Sequence, residues 1–232
     1  MAGCHLSFAQ AVNPEGSTIS ESAINKAKQV YIDFFIDQMQ LYNGVKYNEV
    51  LRNTDIDRGH PFFLKEELIK GLIRYNNVTY NDVLLQYDIV TDQVITVLPN
   101  TNYKISLIKN HIQEFNLLGH RFVQISSDGI VSGFYEVLLD GQFKVFVKRR
   151  KSISESYYNN NLFIKRNYSE RNDLYVLSNN TFYLIKGKKS LRPIFSQNMK
   201  AFNSASQNVS VSFKREKERY VVRLIEYYIN LN

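Results

Sequence analysis

Short turn-forming dipeptides set between strand-like runs recur along this chain and constrain its fold more than any other feature. Tyr42-Asn-Gly-Val-Lys-Tyr-Asn-Glu-Val50 returns 33 residues later as Tyr75-Asn-Asn-Val-Thr-Tyr-Asn-Asp-Val83, with Tyr, Asn and Val in matching places. A Gly- or Asn-bearing dipeptide between residues that favour strands is the strongest short-range hairpin signal, because both tolerate the positive φ that a tight turn needs. Each copy therefore predicts a hairpin, with Tyr42/Tyr47 and Tyr75/Tyr80 in equivalent positions.

The same punctuation extends through the middle of the chain. Leu72–Tyr75 turns at Asn76-Asn77 into 78–88, and a second turn near Thr91-Asp92 leads into 93–98. Asp88 and Asp92 flank that turn, where Asp is expected for its local hydrogen bonding. Asp140-Gly141 predicts a type I′ turn between 134–139 and 142–147. Alternation on the second arm puts Phe143, Val145 and Val147 on one face and Lys144, Phe146 and Lys148 on the other. Asn179-Asn180 joins 174–177 to 181–186. Residues 103–126 stay open: Ile105, Ile108, Ile112 and Phe115 fit a helix, whereas 121–125 reads as a strand.

The hydrophobic period lengthens at both ends. Ala23, Ala27, Val30, Tyr31, Phe34, Phe35 and Met39 recur at helical spacing, with Ser20 or Ser22 as N-cap. Near the C-terminus, 190–202 predicts a helix capped by Ser190 with Leu191, Ile194, Phe195, Met199 and Phe202 inward. A second helix over 214–231 would bury Tyr220, Val221, Leu224, Ile225, Tyr228 and Leu231. The expected fold is β-rich α+β: an antiparallel hairpin meander, as a sandwich or partly open barrel, with an N-terminal helix and two C-terminal helices. Residues 20–232 read as one β-rich domain, or as two lobes, 20–130 acidic and 131–232 basic.

That charge division is large. Residues 141–232 hold 18 Lys and Arg against 6 Asp and Glu, while the rest of the chain is acidic, and the whole carries +7. A basic half is a footprint for an anionic partner; a solvated surface, or two halves facing one another, is the plain alternative.

Residues 1–12 read as a signal-peptide remnant or a flexible terminus. Ala9-Gln10-Ala11 has the small-x-small form of a signal-peptidase site. Ala2-Gly3-Cys4 is also how a lipoprotein site ends, in which case Cys4 carries a lipid. Cys4 is the only cysteine, so an intramolecular disulfide framework and a thiolate metal cage are excluded. No apolar run approaches the eighteen or so residues of a transmembrane segment.

Further short motifs occur in order: Gln40-Leu-Tyr-Asn-Gly44, Gly59-His-Pro-Phe-Phe63, Tyr80-Asn-Asp-Val83 with Tyr87-Asp88, Gly133-Phe-Tyr-Glu-Val-Leu138, and Arg223-Leu-Ile-Glu-Tyr-Tyr228. In this series the chain resembles uncharacterised secreted envelope proteins of Bacteroidetes-type Gram-negative bacteria. The resemblance implies export beyond the inner membrane and implies no activity.

Few residue patterns in the chain suggest chemistry. His60 could act as a general base oriented by Asp55 or Asp57, the arrangement of a hydrolase-like enzyme. The alternative is a turn histidine packed on Phe62 and Phe63, and no nucleophile motif accompanies it. Asp55, Asp57, Glu66 and Glu67 cluster without the spacing of a calcium loop. No cofactor fingerprint or metal-binding helix motif is present. The best candidate binding surface is Lys148, Arg149, Arg150 and Lys151, followed by Tyr157, Tyr158, Lys165, Arg166 and Tyr168. Cations there would grip phosphate or sulfate while aromatics stack on bases or sugars; a basic strand edge that discourages aggregation is the alternative. The expectation is a non-enzymatic protein of the periplasm or outer membrane with a binding or assembly role. Its partner would be an envelope protein, an anionic glycan or a lipid headgroup, and nucleic acid is the further alternative.

Overall fold

A computed structural model describes residues 15–48, 56–158 and 163–231. The chain divides into two compact units, Met1–Asn43 and Gly44–Asn232. The first contains the helix α1 (Glu15–Leu41), 27 residues long. The helix begins earlier than its spacing suggests, so Ser20 and Ser22 lie inside it and neither is its N-cap. Ala23, Ala27, Val30 and Met39 of the expected stripe are exposed.

The second unit is built on an open eleven-stranded antiparallel sheet. In chain order its strands are β1 (Val45–Lys46), β3 (Ile69–Tyr75), β4 (Val78–Asp88), β5 (Gln93–Val97), β6 (Lys104–Ser106), β7 (Ile112–Leu117), β8 (His120–Ile125), β9 (Gly133–Leu139), β10 (Lys144–Lys148), β13 (Asp173–Ser178) and β14 (Thr181–Leu184). The spatial order is β1-β6-β5-β4-β3-β7-β8-β9-β10-β13-β14, so most neighbours in space are also neighbours in sequence. A second sheet holds β11 (Lys151–Tyr158), β12 (Phe163–Glu170) and β2 (Ile56–Arg58), with β2 parallel to β12. The hairpin meander with flanking helices is therefore present, and the large sheet stays unclosed.

Turn chemistry explains most of the hairpins. Asn76 and Asn77 take φ of 49° and 65°, and Asn179 and Asn180 take 49° and 58°, the paired positive values of a type I′ turn. Leu118 and Gly119 (φ 55° and 80°) make a third such turn between β7 and β8. This resolves residues 103–126 as strands flanking the 3₁₀ turn Lys109–His111. The helical spacing of Ile105 to Phe115 is coincidental, because a leucine at the turn conceals the hairpin signal.

Two sequence expectations fail here. The first repeat copy is not a hairpin: Tyr42 closes the last turn of α1 through its N–H to the Met39 carbonyl (3.2 Å). Val45 and Lys46 then join the sheet as a two-residue edge strand opposite Ser106 and Ile105. Gly44 allows that approach, since a β-carbon there would strike the Ser106 carbonyl. Glu49 and Val50 lie outside the described residues. Nor is Asp140-Gly141 a type I′ turn. Gly141 does not have a positive φ, and Val145 opposite Leu139 leaves a wider loop. Asp140 instead accepts from Arg121 (3.1 Å) and Lys144 (3.0 Å).

An aromatic core joins the middle strands. Phe115 and Phe122 stack at 4.8 Å, and Tyr87 meets them edge-on at 5.2 and 5.1 Å. Such pairs add about 0.5–1.5 kcal/mol each beyond the area they bury. A second core lies over β10 and β13, where Val145, Val147, Leu174 and Val176 meet the C-terminal helices. The chain from Lys188 to Asn198 is 3₁₀ rather than α, with Pro193 inside and a break at Phe195. Ser190 is therefore not an α-helix cap; its Oγ accepts from the Gly187 N–H (3.3 Å). Asn198 caps α2 (Met199–Asn208) by accepting from the Ala201 N–H at 3.0 Å. The helix α3 (Lys217–Asn230) buries Tyr220, Val221, Leu224, Ile225 and Tyr228 as expected, whereas Leu231 is exposed.

Candidate functional site

The basic run at 148–151 falls where the chain passes between sheets. In the large sheet Lys148 lies opposite Asp173; in the small one Lys151 lies opposite Glu170, in the same phase. The Arg171 N–H donates to the Arg150 carbonyl (2.8 Å) between these pairs. The strands β10–β11 and β12–β13 are thus one long antiparallel ribbon with an elbow at Arg149–Arg150 and Arg171–Asn172. This topology disperses the basic run instead of presenting it on one face.

Lys148 is buried. Its Nζ meets Asp92 Oδ1 at 2.7 Å, donates to the Phe134 carbonyl (3.1 Å) and sits over the Tyr135 ring. Lys109 approaches the other Asp92 oxygen at 2.5 Å, and the Tyr87 hydroxyl donates to Oδ1 at 2.6 Å. Burial would push the Asp92 carboxyl up, but the charge of Lys148 and these hydrogen bonds hold it below the ordinary carboxylate value. Arg149 runs between Glu136 (Nε to Oε2, 2.5 Å) and Glu218 on α3. Burial would lower its guanidinium, yet the two carboxylates raise it. Lys151 donates to the carbonyls of His60 (3.0 Å) and Phe62 (2.7 Å), and burial pulls its ammonium down. These three charges are engaged inside the protein.

Arg150 faces a different environment. It pairs with Asp173 and lines a cavity of about 430 Å³ at the elbow, together with Arg171, Lys186 and Lys217. The half-buried Leu184 is among its apolar lining residues. Arg171 and Lys186 are exposed and Lys217 is half-buried. Among the described residues no carboxylate pairs with any of these three. The Nε of Arg150 is buried without an acceptor. Asp173 is thus the one carboxylate lining the cavity, set against four cations.

The remaining expected residues separate. Tyr168 lines another cavity of about 310 Å³ with Tyr47, Asp88 and Ile153. There the buried Asp88 accepts from the Tyr47 hydroxyl (2.9 Å), the N–H groups of Val90 and Thr91, and the Thr91 hydroxyl (2.7 Å). Arg166 is buried and donates to Glu155 at 2.9 Å. Lys165 is half-buried, Tyr157 is 66% exposed, and the side chain of Tyr158 lies outside the described residues. Arg150 alone of the expected set joins the elbow cavity. Arg171, Lys186 and Lys217 carried no local signal beyond the basic excess of their half, because the topology assembles them from separate elements.

His60 Nδ1 accepts from the Phe62 N–H (3.2 Å), and its ring stacks on Phe62 at 6.0 Å. Asp55 lies outside the described residues, as do Cys4, Ala9–Ala11 and the side chain of Asp57. His120 has a carboxylate partner that sequence spacing did not reveal: its Nδ1 lies 2.5 Å from Glu136 Oε1, and the ring meets Phe63 edge-on. Among the described residues no group of three or more His, Cys, Asp and Glu side chains could hold a metal ion. No described helix is long and apolar enough to cross a membrane. No family model matches the chain, and neither the curated proteins nor the solved structures contain a match to it.

Proposed function

We propose that the protein is a non-enzymatic binding protein of the bacterial envelope, in the periplasm or at the outer membrane, that engages an anionic partner through its basic C-terminal half. The carrying observation is the elbow cavity, where Arg171, Lys186 and Lys217 converge beside Arg150 with Asp173 as the lining carboxylate. Gathering like charges costs self-repulsion, which a bound anion would offset. Supporting a binding role over a hydrolase centred on His60 is the engagement of His60 Nδ1 by a backbone N–H, since a general base needs that lone pair for the proton it removes. The envelope address comes from the motif series described above and makes anionic glycan, lipid headgroups or an acidic envelope protein the relevant partners rather than nucleic acid.

The test is binding of the purified chain to heparin and to vesicles of anionic and zwitterionic lipid, at low and at physiological ionic strength. Anion-selective binding that weakens with salt is expected. Equal indifference to anionic and neutral surfaces at low salt would overturn the reading. Fractionation of expressing cells with mass spectrometry of the mature N-terminus tests the address separately. Recovery of the unprocessed chain in the cytoplasm would move the search toward nucleic acid.

A further inference from the structure

We infer that the elbow cavity is a binding site for a phosphomonoester; this rests on the anion-binding reading and names the group bound. The cations differ in kind, and the difference points to phosphate. Arg150 and Arg171 offer planar forks whose N–H groups match the spacing of phosphate oxygens, while Lys186 and Lys217 add ammonium point charges to the same lining. Asp173 pairs with Arg150 through Nη2, so it engages only part of that guanidinium.

Charge balance narrows the class. Four cations against one carboxylate leave a surplus that a singly charged carboxylate or sulfate ester neutralises poorly. A phosphomonoester brings about −1.5 to −2 near neutral pH and three acceptor oxygens. At about 430 Å³ the cavity falls within the range of small-ligand sites and exceeds what a bare phosphate fills. The half-buried Leu184 lines the cavity too, and the remaining volume is open to the group bearing the phosphate. A free phosphorylated small molecule and a lipid phosphate headgroup share this chemistry.

Arg171→Gln/Lys186→Gln is the decisive variant, because both side chains are exposed and unpaired among the described residues, so their removal leaves the internal ion pairs intact. Lys200→Gln/Lys214→Gln removes the same charge from exposed positions that do not line the cavity and serves as the control. Calorimetric titration with inorganic phosphate, glycerol 3-phosphate and methyl sulfate, a singly charged sulfate ester, is run beside vesicle binding with phosphatidic acid in phosphatidylcholine. Wild type and control should bind a phosphate probe more tightly than methyl sulfate, and the Arg171/Lys186 variant should lose about tenfold or more, as expected for two charge-assisted contacts. Saturable binding of the soluble phosphates identifies a free ligand; binding confined to phosphatidic acid vesicles and lost in the variant identifies a lipid headgroup. Equal phosphate affinity in wild type and variant would overturn the site. Retention of heparin with indifference to every phosphate probe would also overturn it while leaving the anion-binding reading in place. Failure of wild type to bind any anion would remove both.

Discussion

Arg149 grips Glu218 with both arms of its guanidinium, Nη1 to Oε1 at 2.7 Å and Nη2 to Oε2 at 2.8 Å, across 69 residues of sequence. The same arginine reaches Glu136 through Nε, so one side chain fastens the first turn of α3 to the strands beneath it. The side chain of Glu136 is only 4% exposed. Arg149→Met would leave that buried carboxylate with His120 as its remaining side-chain partner, and the expected loss of stability is about 2 kcal/mol or more. Glu218 is 32% exposed and better hydrated, so Glu218→Gln should cost less. Urea unfolding measures both, and an Arg149→Met midpoint close to wild type would refute the clamp.

The Asp92 pair sets a pH dependence. Its carboxyl is held below its ordinary value in the folded chain, so over the intervening range the unfolded chain binds more protons. The stabilisation is therefore complete above the unfolded value of about 3.9 and is lost as pH falls through the folded value. Asp92→Asn should lower the melting temperature at neutral pH, leaving Lys148 buried without its charge partner. The gap from wild type should narrow below about pH 4. Melting curves across that range check the sign, and a constant gap would refute the assignment.

Two glycines stand in contrasting surroundings. Gly133 has a φ of 153°, and a β-carbon on it would also collide with Asp92 and Lys148, so Gly133→Ala should cost about 1–3 kcal/mol. At Gly141 the nearest atom to a β-carbon is the Phe143 carbonyl oxygen at 3.9 Å, and φ is not positive. Gly141→Ala should stay within about 0.5 kcal/mol of wild type. Thermal unfolding of the two variants distinguishes them.

The turn between β13 and β14 requires left-handed backbone at Asn180, where φ is 58°. Asn180→Ala should destabilise by about 1 kcal/mol, because a β-carbon is penalised there. Asn180→Gly should not destabilise, since glycine adopts that region freely. Equal melting temperatures for the Ala and Gly variants would count against this turn.

How much was legible follows the range of the interactions. Asn76-Asn77 and Asn179-Asn180 declare their hairpins because positive φ is a property of two residues and their own side chains. The apolar stripe of α3 declares its buried face because spacing alone decides which residues share it. Leu118-Gly119 stays hidden because leucine does not advertise left-handed backbone. The first repeat misleads for a related reason: its residues suit a turn, but Val45 and Lys46 find their partner in β6 rather than in a returning strand of their own.

The sequence by itself determined the β-rich class, most of the tight turns, the amphipathic C-terminal helix and the excess of positive charge in the second half. Local backbone preferences and hydrophobic period do not depend on distant partners. Tertiary structure alone decided which charges are available. Lys148, Arg149 and Lys151 are adjacent to Arg150 in sequence, yet they meet Asp92, Glu136, Glu218 and backbone carbonyls from other parts of the fold. Arg171, Lys186 and Lys217 reach the elbow because ribbon, hairpin and helix converge there. Charge is counted along a chain, but its neutralisation is settled by proximity over a few ångströms, and that proximity exists only once the chain has folded.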